Sequence, residues 1–130
     1  MSILSGFPVL NCQSIDETLS FYQQALQFVI VKKREVEGEL EWVHLMNGST
    51  TLMLQRFSSI LSLPEKTSQS SMSLYLYVNN INEMVHILKA KYNINPVVAM
   101  TTYKMLECNI SDPEGNQITL GQKGEHAPDD

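Results

Sequence analysis

The chain has little of what marks the specialised protein classes. Its 130 residues hold two cysteines, one tryptophan, and nine Lys and Arg against fourteen Asp and Glu. Neither Cys12 nor Cys108 has a second cysteine at metal-binding spacing, so reduced thiols are expected rather than a zinc cluster or a Cys12–Cys108 disulfide. A formal charge of −5 argues against a nucleic-acid partner, because phosphate binding needs a clustered basic surface. The one basic cluster, Lys32 to Arg34, runs straight into the acidic stretch EVEGELE and reads as a solvated hairpin. No apolar run approaches the ~20 residues that cross a bilayer, which excludes a membrane-spanning helix. The opening MSILSGFPVL lacks a basic, then apolar, leader pattern. A cytoplasmic protein is the expectation.

What is present is a repeat. In QSIDETLSFYQQALQF, Ile15, Leu19, Tyr22 and Leu26 recur on one face of a helix. Ser14 with Glu17 three residues on reads as a capping box, each side chain serving a backbone N–H that the helix leaves unpaired. NINEMVHILKAKY repeats the device with Asn80 and Glu83 and an apolar stripe of Ile81, Met84, Val85, Leu88 and Tyr92. The two helices are offset by 66 residues, from Ser14 to Asn80. The strand-like stretches FPVLNC and SLYLYV precede them. FVIVKK, LEWVHLM and TTLMLQ follow the first helix, and NPVVAM, YKMLECNI and NQITL follow the second. The chain therefore reads as a twofold strand–helix–three-strand repeat. Asn47–Ser49 and Asp112–Gly115 are its hairpin turns, with Gly48 and Gly115 able to supply positive φ.

A duplicated unit of this kind, with SIDETLSFYQQAL in the first half and DPEGN near the end, resembles the vicinal oxygen chelate superfamily. Glyoxalase I, extradiol dioxygenases, fosfomycin-resistance enzymes and bleomycin-resistance proteins belong to it. The resemblance covers roughly residues 7 to 122. It implies an α+β fold of two tandem βαβββ modules, forming a half-open mixed β-barrel with helices on the convex face and the site on the concave face. A single glyoxalase-like domain over residues 1–124 is expected. Module 1 spans about 5–57, a linker or lid 58–71 and module 2 about 72–122, with a disordered tail at 125–130. The resemblance also implies a homodimer.

In metal-using relatives a His or Glu projects from the first and last strand of each module. Strand matching puts those positions at Phe7, Met53, Ser73 and Thr119, and the 66-residue offset supports this register. A phenyl ring, a thioether and two alcohols are poor ligands for divalent metals that favour imidazole, carboxylate or thiolate. No metal and no other cofactor is expected, and the family's metal-dependent reactions are not.

Strand alternation sorts the remaining residues. Leu10, Val43, Leu45, Leu52 and Leu54 fit the helix-facing side of module 1, and Leu74, Leu76, Leu106, Cys108, Ile118 and Leu120 that of module 2. The opposite parity carries Phe7, Val9, Asn11, Trp42, His44, Met46, Met53 and Gln55 in module 1. In module 2 it carries Ser73, Tyr75, Tyr77, Tyr103, Met105, Glu107 and Thr119. An apolar wall with sparse polar groups suits a small-molecule site, although the same residues also suit a collapsed core or a dimer interface. Glu107 and His44 hold the acid–base potential of this wall.

Two main readings follow. One is a metal-free small-molecule binder of the bleomycin-resistance type, with an unidentified organic ligand and no partnership with nucleic acid or membrane. The other is a lyase or isomerase-type enzyme in which Glu107 or His44 transfers a proton. A scaffold module that buries its concave face in another protein is a third.

Overall fold

The computed structural model describes residues 2–56 and 72–124. The expected linker or lid at 58–71 and the tail at 125–130 lie outside the described residues. The chain divides into two compact units, Met1–Lys66 and Thr67–Asp130. Among the described residues no helix is long and apolar enough to cross a membrane.

The first unit contains β1 (Val9–Cys12), α1 (Ile15–Gln24), β2 (Val29–Val36), β3 (Glu39–Asn47) and β4 (Thr50–Arg56). Its four strands form one mixed sheet in the order β1-β4-β3-β2, with β1 parallel to β4. Alternation sorts the faces as expected. Leu52 and Leu54 on β4 and Val43 and Leu45 on β3 are buried, while Met53, Gln55, Trp42 and His44 on the other parity are not. Helix α1 packs against β3 and β4 and closes the buried face with Ile15, Phe21 and Tyr22. The Tyr22 ring meets Phe28 edge-on at 5.6 Å, the favoured arrangement for two aromatic quadrupoles.

The second unit contains β5 (Ser73–Tyr77), α2 (Ile81–Tyr92), β6 (Ala99–Met100), β7 (Met105–Ser111) and β8 (Gln117–Lys123). Its sheet order, β5-β8-β7-β6, repeats the first, with β5 parallel to β8 and α2 packed on β8. Ile81, Leu88, Cys108, Ile110, Ile118 and Leu120 make its core. Neither sheet closes on itself.

The offset of 66 holds in backbone detail. Val9 pairs with Met53 and Tyr75 with Thr119; Ile15 and Ile81 each open a helix. Each helix ends alike: Phe28 N–H donates to Tyr22 C=O and Ile94 N–H to Leu88 C=O, with Gln27 and Asn93 left-handed between them. This six-to-one closure satisfies carbonyls at the helix end.

Two expectations are corrected. Asn80 accepts the Glu83 N–H at 3.1 Å, but Ser14 makes no side-chain cap bond, so the first capping box is not formed. NPVVAM yields a strand only at Ala99–Met100. Pro96 has no N–H for a ladder, which confines pairing to the far end of the segment.

The hairpin turns differ in length, and this moves the site. Between equivalent pairs the second turn is one residue longer: Met46 and Thr51 enclose four residues, Ser111 and Gln117 five. In the longer loop the buried Asp112 carboxylate accepts the backbone N–H groups of Glu114 and Asn116 at 2.9 Å and the Asn116 side-chain amide at 2.8 Å. Gly48 and Gly115 take positive φ as expected. The offset between β3 and β7 thereby becomes 65: Trp42 corresponds to Glu107, both opposite β4/β8 equivalents (Gln55 and Gly121), and His44 to Asn109.

Candidate functional site

In the first unit the outward parity of the sheet brings four expected residues together. His44 on β3 pairs with Met53 on β4, and Trp42 with Gln55. The Phe7 ring, just before β1, lies 5.2 Å from the His44 ring, and the Trp42 ring lies 6.3 Å from it. The imidazole thus neighbours two larger aromatic rings. Its Nε2 is buried and has no hydrogen-bond partner among the described residues. A buried polar atom left unpaired costs free energy, so the position invites a ligand group or water. Asn11 and Gln55 are exposed partners on neighbouring strands. Met46 is exposed and pairs with Val29 and Thr51, at the other end of β3 from Trp42.

The second unit gathers tyrosines around an acid. The Tyr75 and Tyr103 hydroxyls both donate to Glu107 Oε2, each at 2.7 Å. The Tyr75 and Tyr77 rings lie 5.0 Å apart and tilted by 60°. Tyr103 reaches Glu107 because the chain folds back just before β7. Lys104 N–H donates to Thr101 C=O and Met105 N–H to Thr101 Oγ1, with Lys104 left-handed at φ 65°. Both phenols resist ionisation. Tyr75 stands well above its ordinary value, first because partial desolvation of its hydroxyl disfavours the phenolate and then because Glu107 holds its proton. Tyr103 is raised chiefly by the hydrogen bond to Glu107.

No hydrogen bond joins the other expected residues of this unit to Glu107 among the described residues. Thr119 donates from Oγ1 to Asn109 Oδ1 at 2.7 Å, and Ser73 is exposed opposite Gln117. Met105 is buried. His44 and Glu107 belong to different units, each with the neighbours just given. Both cysteines are buried thiols that form no disulfide among the described residues, and burial pushes the Cys108 thiol up, as expected of inert thiols.

The sequence reading missed Gly121. A methyl group there would overlap the Tyr75 phenol. A lone glycine within a strand pattern signals close approach of another group, and that was the available cue. Gly121 also lines an open groove of about 480 Å³ with Tyr77, Val78, Asn79, Gln122 and Lys123. The groove lies beside the start of α2, whose Ile81 N–H donates to Gln122 Oε1 at 2.7 Å.

The four positions expected to match family metal ligands carry the side chains of Phe7, Met53, Ser73 and Thr119, which do not suit a borderline divalent metal. Among the described residues no group of three or more His, Cys, Asp or Glu is placed to hold a metal ion.

Comparison with known proteins agrees with the repeat and the sheet order. No curated protein matches the sequence. Among solved structures, a bleomycin-binding protein complexed with bleomycin is 21% identical, with a TM-score of 0.64, over 92% of this chain and 98% of that one. A bleomycin resistance determinant encoded on the transposon Tn5 is 20% identical, with a TM-score of 0.66, over 92% and 97%. Lactoylglutathione lyase from Agrobacterium tumefaciens is 16% identical, with a TM-score of 0.65, over 94% and 96%. At these identities the likeness is one of fold. A sequence model of the glyoxalase/bleomycin resistance protein/dioxygenase superfamily matches residues 6–120, and on that match the chain belongs to this superfamily.

Proposed function

We propose that the protein binds a small organic molecule on the aromatic, methionine-bearing faces of its sheets, without the family metal. The observation that carries this reading is the exposed phenol cluster around Glu107. Tyr77 is 67% and Tyr103 55% exposed, although large aromatic side chains are ordinarily covered. Rigid aromatic surface with a few fixed polar groups is what a small-molecule site uses. In the first unit, Phe7, Trp42 and the unpaired His44 Nε2 offer the same combination. The protein would act as a single domain of two modules, in the cytoplasm and as a homodimer. The bleomycin complex of a structural neighbour supports sequestration as the mode of action.

The test is a screen of small organic compounds followed by the fluorescence of Trp42, the one tryptophan. The reading expects saturable changes for a chemically related group of compounds, weakened by Tyr77→Ala and His44→Ala. If no compound changed the signal, or if both variants bound every hit as the parent does, the reading would fail.

Proton transfer by Glu107 or His44 is the second reading, and the unpaired His44 Nε2 favours it. Two phenols already occupy Glu107 Oε2, which leaves that oxygen poorly placed to take a proton from a substrate. Turnover that survives in both Glu107→Gln and His44→Ala would eliminate this reading.

A further inference from the structure

We propose that Glu107 and its three tyrosines form a seat for an organic ammonium group, so that the ligand of the second unit is a cation. This rests on the small-molecule-binding reading and names the ligand class at that site.

Glu107 is half-buried, and the hydrogen bonds from Tyr75 and Tyr103 both fall on its Oε2. Among the described residues no lysine or arginine pairs with it, and no donor reaches Oε1. A half-buried carboxylate held by neutral donors alone lacks a counter-charge, and an ammonium N–H or N–CH₃ edge would supply it.

The surroundings are of matching chemistry. Tyr77 and Tyr103 stand near enough to Tyr75 to raise it, and Tyr77 near enough to Tyr103 to raise that phenol too. Their rings are exposed, and a cation over a phenol face is attracted by the ring quadrupole. A phenol that donates its proton to a carboxylate gains electron density, which strengthens that attraction. Both donor phenols stay protonated well past neutral pH, so the carboxylate and not a phenolate carries the charge.

Gly121 makes the seat possible by letting the Tyr75 phenol lie close to β8. The groove beside Tyr77 has room for the rest of a ligand. Among the described residues, Lys123 is the one cation lining that groove. It disfavours a second positive charge there, so the seat suits a ligand with one cationic end and a neutral or acidic body.

The probe is benzyltrimethylammonium, with benzyl alcohol as the neutral control, followed by NMR of tyrosine ring signals in the parent, Glu107→Gln and Tyr77→Leu. The expected result is saturable binding of the cation at the Tyr75, Tyr77 and Tyr103 rings. Affinity should fall about tenfold in Glu107→Gln and about threefold in Tyr77→Leu, while benzyl alcohol treats all three proteins alike. Tyr77 is exposed, so its variant reads binding even if Glu107→Gln folds poorly. Equal affinity for cation and alcohol, or an unchanged affinity in Tyr77→Leu, would overturn the proposal. If neutral or anionic compounds bound these rings and the cation did not, the cationic seat would fall and the binding reading would stand.

Discussion

The Tyr75 phenol occupies the space that a side chain at Gly121 would fill. The two residues stand on paired strands, Gly121 opposite Tyr77 and Tyr75 two pairs along at Thr119. A residue chosen for having no side chain thus fixes the ring that holds Glu107. Gly121→Ala forces the ring away and breaks its 2.7 Å bond to Glu107. The expected loss of stability is about 1–3 kcal/mol by urea unfolding. In Tyr75→Phe the lost hydroxyl relieves part of the clash, so the double variant should lose less than the sum of the two single ones.

Alkaline stability carries the signature of the phenols. The Tyr75 phenol is raised above its ordinary value of 10.0 by partial desolvation of its hydroxyl and by Glu107. A raised value means that its contribution is fully present below about pH 10. It is lost as pH rises, because the unfolded phenol ionises first. The melting temperature of the parent should therefore fall more steeply above pH 10 than that of Tyr75→Phe. Parallel curves would show that the Tyr75 proton is not held by the fold.

The turn at DPEGN depends on one carboxylate. Asp112 accepts three hydrogen bonds while almost fully buried. Asp112→Ala strands the backbone N–H of Asn116 and the Asn116 amide. It should cost about 2–4 kcal/mol in chemical denaturation, with the loss of β7–β8 amide protection in hydrogen exchange. Pro113→Ala, which leaves those bonds in place, should cost under about 1 kcal/mol.

These residues also mark what could be read from sequence. The repeat, the parity of the strands and both glycine turns were legible because periodicity and φ preference are local properties. The one extra residue in the second hairpin was not, since nothing local marks Met46 and Ser111 as equivalent positions. That difference sets Glu107 opposite Gly121 and gives its place in the first unit to Trp42. The Tyr103–Glu107 bond was hidden for a similar reason. It needs a left-handed Lys104, a conformation that lysine does not announce. The Ser14 cap failed in the other direction: the residue type was right, and the side chain makes no cap bond.

His44 separates stability from function. Its Nε2 is buried without a partner among the described residues, so removing the imidazole removes an unsatisfied group. His44→Phe should leave stability within about 1 kcal/mol of the parent or raise it, while weakening any ligand that changes Trp42 fluorescence. A loss above about 2 kcal/mol would mean that the imidazole is structurally paired.

The buried thiols give a further check. Cys12 and Cys108 are buried and form no disulfide among the described residues, and burial raises Cys108. A thiol-reactive disulfide reagent at pH 8 should label neither residue in native protein within minutes and both after unfolding.

The most direct measurement is native mass spectrometry of freshly purified protein against a denatured control, with elemental analysis of the same sample. A binder that works without the family metal predicts a retained organic mass and no stoichiometric transition metal. One zinc, nickel, manganese or iron ion per chain would contradict the account.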